Sequence, residues 1–151
     1  MRLWHQSLIP YLDNKRLLGQ HRDCCALRGN GWGRKHATVD YVFNHSQAYL
    51  ISYHYCILDE MESHGYKYDD KWCCPDYRGK TLGTQKDWAD SRTRELIDDL
   101  YNNAHMYNKI IFAEHNEDYM NACLENLSAK GAKVLNFTKS AGKCINKYCS
   151  K

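Results

Sequence analysis

The sequence contains no long apolar run, and this absence excludes the commonest membrane and secretory arrangements. No segment approaches the roughly 20 apolar residues that a transmembrane helix requires. The start, MRLWHQSLIPYL, lacks the uninterrupted apolar core of a secretion signal. We therefore expect a soluble, cytoplasmic protein with no membrane partner.

The chain also lacks a CxxC motif, although it has 8 Cys. Two pairs are adjacent in sequence, at 24–25 and 73–74, and otherwise the nearest spacing is Cys144 to Cys149. Adjacent cysteines rarely bond each other, and this spacing gives poor support for a structural zinc site. We predict reduced, mostly buried thiols, with no metal and no organic cofactor.

Internal repeats, low-complexity segments and linkers are absent as well. The 151 residues therefore fit one domain that can bury a sizeable core. Its hydrophobic fraction of 43% depends on 12 Tyr and 4 Trp rather than on long aliphatic runs, so many rings need a polar partner. A net charge of +3 permits a polyanionic partner without requiring one.

The stretch that organises the chain, residues 13–36, predicts one helix that runs into a glycine-rich basic loop. Asp13 or Asn14 can cap its start, and Gly29 and Gly31 are natural ends. At helical spacing the packing side comprises Leu17, Leu18, His21, Cys24, Cys25 and Arg28, and the polar side comprises Gly19, Arg22, Asp23 and Ala26.

The polar side carries a guanidinium, on Arg22, beside the carboxylate of Asp23. Gly19 lies a turn before this pair and Ala26 a turn after, so no bulky side chain shields it. A large ligand could therefore approach the pair. The alternative is a solvated helix face with an ordinary arginine and aspartate.

The loop that follows interleaves basic residues with glycines. Glycines let backbone N–H groups approach phosphates, the basic side chains supply charge, and the ring of Trp32 can stack on or wedge beside a base. The basic residues are Arg28, Arg34, Lys35 and His36. The alternative is a flexible loop whose tryptophan packs into the core.

Two further helices are predicted at 48–64 and 87–107, and a third covers 119–127, with residues 114–116 able to cap it. We interpret His54 and His64, in the first of these, as structural or surface residues. Residues 66–83 read as an ordered surface loop, 109–112 and 133–137 as short strands, and 138–151 as a basic tail.

The N-terminus offers one unusual group. Arg2 follows Met1 directly, and methionine aminopeptidase removes methionine only ahead of small residues, so we expect Met1 to keep a free α-amine. Such an amine is partly neutral at physiological pH, which makes it the one backbone nucleophile of the chain. On most proteins it simply lies in solvent.

A family resemblance rests on five short stretches: Met1-Arg2, Leu8-Ile9, the run 17–23 (LLGQHRD), His36-Ala37-Thr38 and Tyr77-Arg78-Gly79. Together they resemble the pyrimidine-dimer DNA glycosylase family. The likeness covers residues 1–80, with 81–108 as an insertion, and the helix after Glu114-His115-Asn116 resembles a C-terminal element (109–137) of that family. It implies a compact, mainly α, single-domain bundle over 1–151, with one or two short strands allowed in the C-terminal part.

The resemblance implies a DNA-repair enzyme that flips out a damaged base such as a pyrimidine dimer, cleaves the glycosidic bond and nicks the strand by β-elimination. The implied catalytic residues are Met1, whose amine forms an imine with the sugar, Asp23 as acid and base, and Arg22. The implied phosphate-binding residues are Arg2 and Arg22. With the basic loop and the later loop, the predicted DNA-binding residues are Arg2, Arg22, Arg28, Trp32, Arg34, Lys35, His36 and Arg78. The partner is damaged double-stranded DNA, with no obligate protein partner.

Two positions depart from the family pattern. Asp23 is one methylene shorter than the family's glutamate, and Ala26 stands where the best-known member has a further arginine. Two other hypotheses remain open at this stage. One is a non-catalytic nucleic-acid-binding protein that keeps the basic surface, and the other is an enzyme that uses the thiol of Cys24 or Cys25 with His21.

Overall fold

The computed structural model describes residues 1–131, and the predicted mainly helical fold is confirmed. Its α-helices are α1 (Asn14–Arg28), α2 (Gln47–Ser63), α3 (Gly79–Leu82), α4 (Ser91–Tyr107) and α5 (Glu117–Ala129), and 3₁₀ helices cover Gln6–Tyr11, Asp40–Asn44 and Asp70–Cys73. The predicted strand at 133–137 and the basic tail lie outside the described residues. Within 1–131, no helix has the length and apolar character needed to cross a bilayer.

Helix α2 lies at the centre, because it packs against both α1 and α4. The side chain of Ser46 caps its start by accepting a hydrogen bond from the Ala48 N–H at 3.3 Å. Both of its sides are apolar, and its buried residues are Ala48, Leu50, Ile51, Ser52, Tyr53, His54, Ile57, Leu58 and Met61. A helix with neighbours on both sides has little surface left for ligands, so the functional groups must come from elements around it.

Helix α1 ends where the backbone comes too close for any side chain. A Cβ on Gly29 would lie 2.9 Å from the carbonyl oxygen of Arg78, and one on Gly31 would lie 2.7 Å from that of Ala26. The N–H groups of these glycines already donate to carbonyls of the last helical turn, at 3.0 and 2.9 Å. They therefore close the helix, and the sequence-based expectation that they bind phosphate needs this correction.

Helix α4 belongs to the region predicted as an insertion, and it begins at Ser91 rather than at 87. Asp87 has a positive φ of 66°, which a helix cannot contain, whereas Asp90 caps the helix by accepting from the Thr93 N–H at 2.9 Å. Ile97 of α4 joins Ala48, Ile51 and Ala89 in a small second core cluster. The region is thus anchored to α2 by apolar packing.

The strand predicted at 109–112 does not form. The side chain of Gln6 accepts from the Ile111 N–H at 2.8 Å and donates to the Lys109 carbonyl at 2.9 Å, so it occupies backbone groups that a neighbouring strand would pair. In residues 1–131 the strand pairing is limited to an isolated bridge between Tyr77 and Thr84. The helix predicted after this segment is α5, which Asn116 caps as expected.

Candidate active site and nucleic-acid interface

The first four residues lie along α1, and the side chain of Gln20 holds them there. Its Oε1 accepts from the Trp4 N–H at 2.7 Å, and its Nε2 donates to the Arg2 carbonyl at 2.8 Å. From α2, the Tyr53 hydroxyl lies 2.7 Å from the Trp4 carbonyl oxygen. The N-terminal segment is therefore fixed by two helices within four residues of the α-amine.

Two further hydroxyls hold the same segment from other elements. Tyr119 of α5 donates to the Leu3 carbonyl, and Thr38 of the loop after α1 donates to the Met1 carbonyl. Every residue from Met1 to Trp4 thus has a backbone group in a side-chain hydrogen bond. The side chain of Met1 itself stays exposed.

Asp23 lies on α1, one turn after Gln20, and is half-buried. Burial raises the pKa of its carboxyl group, and the positive charges of the N-terminal amine, Arg22 and Lys130 oppose that rise. Three cationic groups, the α-amine first among them, therefore act on this carboxylate. The predicted nucleophile is therefore near enough to the predicted acid and base for its charge to affect the pKa of Asp23.

Lys130 and Gln20 were missed by the sequence reasoning. Lys130 follows the end of α5, and its Nζ lies 5.5 Å from the centre of the Trp4 ring. Nothing local in the sequence marks it, because only the packing of α5 brings it to the N-terminus. Gln20 did carry a signal, since it is a polar residue that shares a buried helix side with Leu17 and Cys24.

Four of the predicted DNA contacts are exposed: Arg22, Arg34, Lys35 and His36. The last three lie two to four residues before Thr38, whose hydroxyl donates to the Met1 carbonyl. Arg2 is half-buried, with its guanidinium 6.0 Å from the centre of the Tyr119 ring. Arg2, Arg22, Arg34, Lys35 and His36 are thus linked to the N-terminal segment by the chain or by the charge on Asp23, and we call this set the basic border.

Arg28 does not belong to that border, which corrects the sequence-based prediction. It is fully buried and donates to the carbonyl oxygens of Trp72 at 2.9 Å, Cys74 at 2.8 Å and Tyr77 at 3.2 Å. Its guanidinium also lies 5.0 Å from the centre of the Trp72 ring. Arg28 anchors the segment 72–77 to the end of α1, and DNA has no access to it.

Arg78 is also committed to the fold. Its Nε donates to the Arg28 carbonyl at 2.8 Å and its Nη2 to the Gly29 carbonyl at 3.0 Å. These are carbonyls that the end of α1 leaves without helical partners, so Arg78 caps the helix. Its guanidinium packs 4.5 Å from the centre of the Trp88 ring. A half-buried side chain held in this way is a poor phosphate contact.

Trp32 packs inside the protein rather than presenting its ring to a base. The ring is half-buried and meets Phe43 edge-on at 5.2 Å and Trp88 edge-on at 5.8 Å between centres. Such edge-to-face contacts are a stable arrangement for aromatic rings. Of the two interpretations of this loop, the structure supports the one in which the tryptophan packs against the core.

A second cluster joins α1 to α2, and it brings together donor atoms that could be considered for a metal. His21, Cys25 and His54 each place one such atom within 4.8 Å of the others. However, Arg28 lies 3.1 Å from His54 Nδ1, and a guanidinium can only donate, so this nitrogen accepts. The Nε2 of His54 then carries the hydrogen and donates to His21 Nδ1, 2.9 Å away.

This hydrogen-bond order does not suit a metal ligand. A metal would need the lone pair of His54 Nε2, and a ligating histidine normally donates its other N–H to an acceptor. A dication would also add charge beside the buried guanidinium of Arg28. Burial, followed by the charge of Arg28, holds the pKa of His54 well below its ordinary value, so the ring is neutral.

The same cluster disfavours the thiol-enzyme hypothesis. Burial raises the pKa of Cys25 to about 12, and it raises that of the fully buried Cys24 well above the ordinary value. A cysteine nucleophile needs a lowered pKa, because the thiolate is the reactive form. The sulfur of Cys25 lies 3.7 Å from the His21 ring nitrogens, but this contact leaves the thiol protonated.

Comparison with known proteins gives one positive finding. A family model described as Pyrimidine dimer DNA glycosylase matches residues 1–73. The matched stretch contains the N-terminal segment, α1 and α2, and so it includes Met1, Gln20 and Asp23. The family predicted from the sequence is confirmed over this stretch. No curated protein and no solved structure matched the chain.

Proposed function

With residues 1–73 matching the pyrimidine dimer DNA glycosylase family, we propose that this protein excises damaged pyrimidines from double-stranded DNA and then nicks the strand by β-elimination. The observation that supports the proposal is that the charge of the Met1 amine acts on the half-buried Asp23 carboxylate. The family match supports a glycosylase activity, whereas the lyase step and the roles of individual residues are our own proposals.

The proposed reaction begins at the neutral Met1 amine. Its lone pair attacks the sugar C1′ as the glycosidic C–N bond breaks, and the electron pair and a proton leave with the base. One amine proton is then lost, and as the nitrogen lone pair forms the C=N bond the C1′–O4′ bond breaks and O4′ takes up a proton. The product is a protonated imine, which acidifies the C2′ proton. Removal of that proton expels the 3′ phosphate, and water then releases the amine. No oxidant or reductant is required.

Asp23 is the group proposed to move these protons. Burial raises the pKa of this carboxyl, so it holds a proton more readily than an exposed aspartate does, and it can donate one and recover one within a cycle. Its ionised form also stabilises the positive charge that develops on the opening sugar. Such a group contributes about 10²–10⁴-fold to the rate.

Binding of the duplex is assigned to the basic border. Arg22, Arg34 and Lys35 of this set, together with Lys130 near the Trp4 ring, are exposed cations, and each can contact a phosphate without moving a buried group. Arg28, Trp32 and Arg78 are left out, because the fold already uses their side chains. Affinity should therefore fall steeply with salt concentration.

Trapping with borohydride tests the proposal. The protein is incubated with duplexes that contain an abasic site or a thymine dimer, and borohydride reduces any imine to a stable amine. We expect a covalent adduct that mass spectrometry locates on the N-terminal peptide, and no adduct when the α-amine is acetylated. Cys25→Ser serves as the control and should leave the yield unchanged, because this thiol takes no part.

Two outcomes would contradict the proposal in different ways. Salt-dependent binding without any adduct would favour a non-catalytic nucleic-acid-binding protein. An adduct that survives acetylation of the N-terminus would move the nucleophile to a lysine, and Lys130 would be the first residue to examine because of its charge beside Asp23.

A further inference from the structure

We infer that Gln20 is a positioning residue that sets the distance between the Met1 amine and the Asp23 carboxylate. The inference rests on the proposed function and deepens it. It concerns the Gln20 clamp, by which we mean the Gln20 side chain together with its two contacts to the backbone of Arg2 and Trp4.

Helix α1 holds both reacting groups. Gln20 and Asp23 are three residues apart on α1, which separates them by about 4.5 Å along the helix axis. The Gln20 side chain is hydrogen-bonded to the backbone of Arg2 and of Trp4, so Met1 is one residue away from the Arg2 contact. A fixed helix therefore carries the carboxylate at one position and holds the strand that ends in the amine at another.

The clamp has a defined orientation. Gln20 is 1% exposed, so an unsatisfied amide would be costly. Its Oε1 accepts from the Trp4 N–H, and the Tyr53 hydroxyl lies 2.9 Å from the same atom. Because an N–H can only be met by the amide oxygen, Nε2 must face the Arg2 carbonyl. An amide supplies the donor and the acceptor on two separate atoms whatever the pH.

The remaining contacts to the segment cannot replace this function. Tyr53, Tyr119 and Thr38 each reach a single carbonyl from three different elements. They hold the segment against the protein, but none of them lies on the helix that carries Asp23. Loss of the clamp would leave the segment in place while its distance from the carboxylate becomes less well defined.

The test compares two substitutions of the same kind. Gln20→Met keeps the length of the side chain and removes both hydrogen bonds. Gln47→Met makes the same change on α2, where the Gln47 side chain donates to the Trp88 carbonyl. A displacement of about 1 Å at a reacting group costs on the order of 10²-fold in rate. We expect single-turnover trapping to slow by about 10–100-fold in Gln20→Met and to stay unchanged in Gln47→Met.

Binding provides the second measurement. The exposed cations that are proposed to contact phosphate are untouched by Gln20→Met, so the dissociation constant for abasic duplex under non-reducing conditions should stay close to that of the unchanged protein. A loss of rate without a loss of affinity is the signature of a positioning role. General destabilisation would lower the amount of active protein and would affect binding and trapping together.

Gln20→Glu gives a readout that a merely structural residue would not. An ionised carboxylate can still accept from the Trp4 N–H, but its second oxygen repels the Arg2 carbonyl. When protonated it donates as the amide does. We therefore expect the trapping rate of Gln20→Glu, divided by that of the unchanged protein at the same pH, to rise as the pH falls.

The outcomes separate the two claims. If the unchanged protein forms no adduct, the proposed function fails, and the positioning role fails with it. If the unchanged protein forms an adduct and Gln20→Met forms it equally fast, the positioning role is overturned while the proposed function stands. If circular dichroism shows Gln20→Met to be unfolded, the test rests on Gln20→Glu. A trapping rate of Gln20→Glu that stays at a constant fraction of the unchanged protein's rate at every pH would then overturn the inference.

Discussion

Replacing Arg28 with methionine distinguishes a residue that supports the fold from one that binds DNA. The sequence places Arg28 in a basic loop, whereas the structure buries it completely beneath the segment 72–77. Methionine fills much of the same space without the charge. Because Arg28 is buried, we expect the substitution to change the stability of the protein and to change DNA binding only through the fraction of protein that is unfolded.

The contacts of Arg28 set the expected magnitude. Its guanidinium donates to three carbonyl oxygens at 2.8 to 3.2 Å and contacts His54 at 3.1 Å. Hydrogen bonds from a charged donor contribute about 1.5–3 kcal/mol each. Part of their loss is offset because the variant no longer has the desolvation cost of burying a guanidinium. We expect Arg28→Met to lower the free energy of unfolding by about 3–5 kcal/mol. That is a large part of the 5–15 kcal/mol that is typical of a domain.

Urea unfolding followed by tryptophan fluorescence measures this loss, because Trp72 stacks on the guanidinium. Arg34→Met is the matched control, since Arg34 is an exposed arginine from the same loop. It should unfold at the same urea concentration as the unchanged protein, bind duplex more weakly and reduce the slope of affinity against salt by about one. An Arg28→Met protein with unchanged stability and weakened DNA binding would refute the reasoning.

Three further predictions follow from the ionisable groups. Asp23→Asn should abolish turnover and spare duplex binding. Because burial raises the pKa of Asp23, its ionised form opposes folding at neutral pH, so this variant should also unfold at a higher urea concentration at pH 7. This gain in stability should vanish as the pH falls through the pKa of Asp23. A variant that still cleaves at the original rate would remove Asp23 from the mechanism. Burial lowers the pKa of His115 to about 3. Below about pH 6.5 the unfolded chain therefore binds a proton at this residue and the folded chain does not, so the free energy of unfolding decreases as the pH is lowered. Between pH 7 and pH 5, His115→Gln should lose about 2 kcal/mol less stability than the unchanged protein, and equal losses in the two proteins would contradict the shift. Iodoacetamide at pH 8 should modify the exposed Cys73 well before Cys25, whose pKa of about 12 keeps it protonated, and peptide mapping that finds Cys25 modified first would reopen the thiol hypothesis.

The helices were readable from the sequence because their signals are local. The periodic apolar residues of α2 and the end of α1 at Gly29 place these elements within one or two residues of the predicted bounds. The strand at 109–112 was predicted wrongly for a reason that is not local. Its composition suits a strand, but a strand needs a partner, and the side chain of Gln6 takes its backbone groups instead.

The sequence by itself determined the helical class, the polar face with Arg22 and Asp23, and the family likeness that the match over residues 1–73 confirms. These features depend on spacing along one helix or on short runs of residues. Only the tertiary structure decided which cations are available, because burial depends on what packs over a residue. It showed that Arg28, Arg78 and Trp32, which the sequence predicted to bind DNA, are held by contacts within the protein, and it brought Lys130 and the amide of Gln20 to the N-terminus across long stretches of chain.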